Sequence, residues 1–472
     1  MNSNRITMSN LATKATLVCV SLQSLAGTAS GVPVLITAPK TVENGAATIT
    51  PTAGGAPVPL IDAEITVNGT TLTMNGRQKI ASLSLQNAAL RHEIQSISAV
   101  WGLELTVFGN VDVPQNSVIN MSGTGWAGGG SLGAGALGNT TCGPGGGGHG
   151  GQGGNNNCGS GGGSSSDYPN EPTFFGGGGG YYVNSIGDYG GRGGGRIRLI
   201  VSGTITLGGI IDANGQLGYE AGGGAGGSIW INASAILGTG TIRADGGAQT
   251  GASGRGGGGA GGLIKYTTCS LSPNITFSVQ PGAAPANQVG SAGSIVSTVN
   301  SAPATSPPGD AISCPTGGAV FSVNGTGSEP ITYLWQIESA PKGSNVWTDL
   351  SNGPVMFNGI AVGTGTGSGT KTFSFQNNPA NRASFRVRCA MNNICGTVPS
   401  SPANYSVCTS DFTCDGGVDD SDFSIFVFGY NLLDCADPEM PVNCPADVNG
   451  DGFVDDQDFS IFVVAYNLLL CE

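Results

Sequence analysis

Three glycine runs, each opening a short apolar segment, constrain this chain more than any other feature. They are "GGRGGGRIRLI" from Gly190, "GGGAGGSIWI" from Gly222 and "GGGAGGLIKY" from Gly257. Glycine costs a helix interior about 1 kcal/mol per residue, so 84 glycines exclude a conventional helical fold. Upstream of each run stands a frame of the form Ile-x-x-x-Gly: "INMSG" at Ile119, "IDANG" at Ile211 and "IRADG" at Ile242. A repeating unit made of a short strand, a glycine-rich return and another strand cannot cover its own apolar face. The expected fold is mainly β, with a parallel β-helix (a solenoid) over residues 31–284.

Residues 31–118 fit this reading as short alternating strands, for example "AEITVNGTTLTMNG" and "LELTVFGNVDV". The longest interruption, Ala127 to Tyr189, holds Cys142 and Cys158 and is expected as a disulfide-tied surface excursion. On these residues the region resembles the glycine-rich β-helical, adhesin-like segments of large bacterial surface proteins. That resemblance implies a stalk or an adhesive face, with a polysaccharide or another cell-surface ligand as its partner. No nucleic-acid partner is expected. Only Arg192, Arg196 and Arg198 charge the Arg/Gly run, and no aromatics interleave with them.

Residues 285–312 contain "SAPATSPPGD" and read as a linker. Residues 313–407 alternate like strands throughout and fit a β-sandwich. They resemble an immunoglobulin-like domain, with Trp335 as the strand C tryptophan and Cys389 as the strand F cysteine. Val323 stands where the partner cysteine is usual. Cys269, Cys314, Cys389, Cys395 and Cys414 cannot be paired from the sequence.

The net charge of −13 is concentrated in the last module, residues 408–472. From Thr409 onward there are fourteen acidic residues and no lysine or arginine, and the acids alternate with Phe, Ile, Val and Tyr. "CTSDFTCDGGVDDSDFSIFVFGYNLLDC" and "CPADVNGDGFVDDQDFSIFVVAYNLLLC" are two copies of one unit. The second copy matches the spacing of a twelve-residue calcium loop. Asp447, Asn449, Asp451, the Phe453 carbonyl, Asp455 and Asp458 fall at positions 1, 3, 5, 7, 9 and 12. The first copy offers Asp411, Thr413, Asp415, the Gly417 carbonyl, Asp419 and Asp422. Calcium is a hard cation that takes six to eight oxygens, and alternate loop residues supply them. Two calcium ions are therefore expected, the second loop being the fuller set. Val418 and Val454 at position 8 are expected to pair as a short strand contact. The apolar stripe Phe459, Phe462, Val463, Tyr466 and Leu470 marks a helix after the second loop.

Two loop–helix repeats with Asp at position 12 resemble type I dockerin modules, small α-helical calcium-loop pairs. The resemblance implies attachment to a cohesin-like or other surface protein. The bracketing cysteines point to Cys408–Cys435 and Cys444–Cys471 bridges, each stapling a loop to the end of its helix.

Even cysteine spacing and a Gly/Ser/Thr-rich composition imply an oxidising compartment, outside the cell or on its surface. Residues 1–30 read as a signal peptide cleaved near Ala29, and no apolar run is long enough to span a bilayer as a helix. The rival to a non-catalytic adhesive protein is a polysaccharide-acting lyase or glycoside hydrolase. Its carboxylates would be Asp212 and Asp245, but they stand at different offsets in their frames, so no enzyme is expected. His92 beside Arg91 and Glu93 is read as part of a solvated face, and His149 in its glycine run as exposed filler.

Overall fold

The computed structural model describes residues 31–94, 102–129, 132–183, 190–251, 254–339 and 341–469. The expected signal peptide, Leu470 and Cys471 lie outside these residues. The N-terminal region builds two open parallel sheets, one of ten strands and one of seven. Strands of the larger sheet run repeatedly into strands of the smaller, as Val111–Val113 does into Val118–Asn120. The Ile frames stack in register, Ile119 on Ile211 and Ile211 on Ile242, with Leu90 below and Phe277 above. All three isoleucines are fully buried, and each such side chain contributes about 1.5–3 kcal/mol of burial. Six strands of the larger sheet lie side by side in this order: β1 (Gly76–Ile80), β2 (Leu103–Val107), β3 (Arg196–Leu207), β4 (Ser228–Gly238), β5 (Leu263–Leu271) and β6 (Ser294–Val299). The last of these falls inside the stretch expected as a linker.

Between the two sheets' ends the glycine runs form a structure of their own. In Gly222–Gly227, the backbone N–H groups of Gly222 and Ala225 donate to Gly180 and Gly177. Those of Gly223 and Gly226 donate to Gly257 and Ala260, and those of Gly224 and Gly227 to Gln216 and Ala213. All six bonds measure 2.7 to 3.0 Å. Donors three residues apart share a neighbour, so the segment has the three-residue turn of an extended polyproline-like helix rather than the two-residue period of a strand. A strand bonds two neighbours, whereas this segment also accepts from Gly191, Gly147 and Gly247 and so touches six. Such closeness leaves no space for side chains. A Cβ on Gly223 or Gly224 would strike the carbonyl of Gly247 or Arg192. The expected surface excursion around Cys142 and Cys158 belongs to this array: Gly145–Gly148 are buried within it.

Both histidines are fully buried, against the expectation of exposure. Nδ1 of His92 donates to the Glu93 carbonyl at 2.6 Å, and its Nε2 accepts the Arg196 N–H at 3.2 Å. His149 is packed against Ser228, whose hydroxyl lies 2.9 Å from His149 Nε2 and donates to Asp167 at 3.1 Å. Both are enclosed by side chains from other parts of the chain, His92 by Phe175 and Thr124 and His149 by Ser228 and Asp167. Burial is the main cause that pushes both imidazoles down, His92 to about 4. A proton on His92 would also set Nε2–H against the Arg196 N–H. The native state therefore binds fewer protons than the unfolded chain between pH 6.5 and 4. Thermal unfolding is expected to show full stability above pH 6.5 and a loss approaching about 3 kcal/mol from His92 by pH 4. A flat profile that His92→Gln leaves unchanged counts against this.

Residues 311–407 form two sheets facing one aromatic core. Thr332–Glu338 and Phe385–Asn393 are neighbours in one sheet, Gly318–Ser322 and Thr372–Asn377 in the other. Trp335 is fully buried, pairs in register with Cys389 and donates Nε1–H to the Thr370 carbonyl at 2.9 Å. Cys389 is free, and Val323 is buried near it in the same core. The cysteines instead join regions. Cys269 of β5 bonds Cys395, and Cys314 bonds Cys414, so the sandwich is tied to the parallel sheet on one side and to the acidic module on the other.

Candidate metal centre

The acidic module consists of two copies of loop and helix, with α1 at Asp420–Leu432 and α2 at Asp456–Leu468. Each helix starts where a short acidic side chain can accept the free N–H groups of the first turn. Asp419 caps α1 by accepting from Ser421 and Asp455 caps α2 by accepting from Gln457, and Asp422 and Asp458 return the capping-box bond. The helices run antiparallel around Phe426 and Phe462, whose rings stack 4.9 Å apart above Val418, Val454 and Ala446. Tyr430 donates its hydroxyl to Asp456 at 2.6 Å, and Tyr466 reciprocates to Asp420.

Each loop wraps its carboxylates inward. In the second, Asp447 accepts from the N–H groups of Gly450, Asp451 and Gly452, and Asp451 from Phe453. Asp458 is fully buried and accepts from Val448, Asn449 and Asp455. The first loop repeats the design. Asp422 accepts from Phe412, Thr413 and Asp419, Asp411 from Gly416, and Asp415 from Gly417. Carboxylate oxygens of Asp411, Asp415 and Asp422 come within 4.8 Å of one another, as do those of Asp447, Asp451 and Asp458. Asp419 and Asp455 stand outside these clusters as helix caps. Asn449 is turned onto Asp451, accepting its N–H at 2.8 Å and donating to its carboxylate at 3.0 Å. The turns need Gly416 and Gly452, at φ of 92° and 96°, where a Cβ is strained.

One atom distinguishes the first loop. Asp411 Oδ1 is buried without any hydrogen-bond partner, and burial pushes the Asp411 carboxyl up. An unpaired buried carboxylate oxygen facing two further carboxylates is costly unless a cation shares the site. The donor set is all oxygen, which suits a hard divalent ion rather than zinc or copper. Cys435 and Cys444 also approach Asp447, but their sulfurs are bonded to each other.

Three sequence expectations change here. Cys435 pairs with Cys444, which rules out both expected staples; Cys408 is disulfide-bonded as well. The short bridge closes the connector between copies rather than a loop onto its helix. Among the described residues Val454 does not pair with Val418. Its N–H donates to the Leu433 carbonyl at the end of α1, beside a Phe453–Asp434 bridge. The expected stripe on α2 is split: Phe462 is fully buried, whereas Phe459 is 41% exposed.

Two features escaped sequence reasoning. Arg382 of the sandwich donates to the Asp447 carbonyl at 3.3 Å, and both line a cavity of about 570 Å³ together with Phe357, Ile360 and Asn449. Cys414, at loop position 4, bonds Cys314. The signal was present, since Cys414 has no counterpart in the second copy and Cys314 lies too early for a sandwich bridge. The candidate catalytic carboxylates are engaged elsewhere. Asp212 forms an ion pair with Arg243 at 2.7 Å, and Asp245 accepts from Ser278 and from the Gln280 N–H. Comparison with protein-family models and with curated proteins finds no match.

Proposed function

We propose that this chain is an exported, non-catalytic structural or adhesive surface protein whose last module binds two calcium ions and serves for attachment. In this reading the two parallel sheets and the glycine array form a β-helical stalk. The sandwich is an immunoglobulin-like spacer, and the acidic repeats act as a dockerin-like pair. The observation that carries the calcium reading is the unpartnered Asp411 Oδ1 within a cluster of three carboxylates that recurs in the second copy. Asp411, Asp415 and Asp422 would hold one ion, and Asp447, Asp451 and Asp458 the other. Thr413, Asn449, Asp419, Asp455 and the carbonyls of Gly417 and Phe453 would complete the shells. Calcium would neutralise carboxylates that otherwise repel within each loop.

The export reading is supported by the four disulfides whose two cysteines both lie among the described residues. Among the described residues no helix is long and apolar enough to cross a membrane. An attachment role is supported by apolar side chains left outward on both helices, among them Phe428, Val464 and Leu468. Their partner would be a cohesin-like or other surface protein. Calorimetric titration of the whole chain with calcium is expected to show two sites, and Asp447→Asn is expected to remove one of them. No heat at millimolar calcium would end the metal reading.

A further inference from the structure

The outer face of the larger parallel sheet carries a groove that the calcium reading leaves unused. One cavity of about 320 Å³ is lined by Leu60, Ile61, Lys79, Glu104 and Thr106. A second, also of about 320 Å³, is lined by Ile200, Asn232, Thr267, Asn300 and, from the sandwich, Ile394. Thr106 of β2, which lines the first, pairs with Ile200 of β3, which lines the second. The floor is one row of residues in register across six strands: Lys79, Thr106, Ile200, Asn232, Thr267 and Thr298. Strands lie about 4.8 Å apart, so this floor spans roughly 24 Å. The Cys269–Cys395 bond fixes the sandwich beside its far end.

Two residues back along each strand runs a wall in the same register: Arg77, Glu104, Arg198, Trp230, Lys265 and Val296. Its cations recur on every second strand, roughly 9.6 Å apart. Glu104 lies 3.5 Å from Arg77 and 3.8 Å from Arg198, one carboxylate against three cations in the wall and Lys79 in the floor. Arg198 and Lys265 lie over the Trp230 ring at 4.2 and 4.7 Å, and Lys265 Nζ also donates to the Asn170 carbonyl, so both cations are held in place. In a chain whose net charge is −13, this positive row is local and ordered.

We propose that the groove binds an extended acidic polysaccharide, its chain lying across the strands and a carboxylate on every second sugar meeting the row of cations. The floor offers a hydroxyl or an amide on four of its six strands, at Thr106, Asn232, Thr267 and Thr298, groups that can hydrogen-bond sugar hydroxyls. A single nucleic-acid strand carries a charge about every 3.4 Å, far denser than this row, and the Trp230 ring is already covered by cations and unavailable for base stacking. The groove lies apart from the acidic loops, so this proposal stands or falls independently of calcium.

The test is binding of the whole chain, in the presence of a chelator, to hyaluronan oligosaccharides, with dextran and a single-stranded oligonucleotide as comparisons. Hyaluronan is expected to bind, to weaken steeply with added salt, and to be preferred over both comparisons. Arg77→Gln and Lys79→Gln, both at exposed side chains, are expected to weaken it at least tenfold together, and Thr267→Trp is expected to block it. Lys342→Gln, on the exposed surface of the sandwich, is expected to leave it unchanged. The proposal is overturned if hyaluronan is not bound, if the oligonucleotide or dextran binds as tightly, or if Arg77→Gln with Lys79→Gln has no effect.

Discussion

Gly223→Ala is expected to destabilise the N-terminal region by about 3 kcal/mol or more, although it adds a single methyl group. The added Cβ would meet the Gly247 carbonyl, and the N–H of Gly223 already bonds Gly257. Relief requires moving one of six bonded neighbours, and each neighbour is itself bonded to others. Gly309→Ala is the control. Nothing lies within 4 Å of a Cβ there and the backbone is not left-handed, so its effect should stay within about 0.5 kcal/mol. Thermal unfolding of the two variants distinguishes a packed array from a flexible glycine tract, since a flexible tract would tolerate both changes equally.

Asp458→Ala and Asp451→Ala are expected to abolish calcium binding at the second loop alike but to differ sharply without metal. Asp458 is buried and accepts three backbone N–H groups, two of the loop and one at the helix cap. Removing it leaves these donors without a partner and should cost about 3–5 kcal/mol in chelator. Asp451 is exposed and accepts one backbone N–H, from Phe453, and the exposed Asn449 side-chain amide, so its loss should cost about 1 kcal/mol or less in chelator. Calcium at a hundredfold over its dissociation constant should stabilise the native chain by about 2.7 kcal/mol per site, an effect absent at the second site in both variants. Melting of the last module in chelator and in calcium reads both quantities. Equal melting of the two variants in chelator would contradict the bonding described for Asp458.

Strand stacking was legible wherever side chains alternate. The Ile119, Ile211 and Ile242 frames marked residues that do lie one above another, because a buried apolar residue every other position is a direct record of a sheet face. The acidic repeats were legible for a similar reason: loop positions are written in residue types, and the structure brings Asp447, Asp451 and Asp458 together. The glycine array was not legible. Its order is a three-residue pattern of backbone bonds, and glycine carries no side chain in which that period could appear. His92 and His149 were misplaced because the side chains that enclose them, Phe175 and Thr124 for one and Asp167 and Ser228 for the other, come from other parts of the chain. Cysteine pairing failed differently. The 27-residue spacing shared by both copies drew Cys435 toward Cys408, while the actual bond joins Cys435 to Cys444 across the connector.

The two disulfides that bracket the sandwich also set how the molecule would carry tension. Pulled from its C-terminal module, the chain offers a covalent short cut from Cys414 back along the backbone to Cys395 and across one sulfur–sulfur bond to Cys269 in the parallel sheet. The bond spans a sequence separation of 126, roughly 440 Å of contour that cannot be drawn out while it holds. Even a fully unravelled sandwich would lengthen the tether only by the few residues outside that closed ring. In a reducing medium the same pull would release the whole length, so the reach of this protein is set by the redox state of its surroundings.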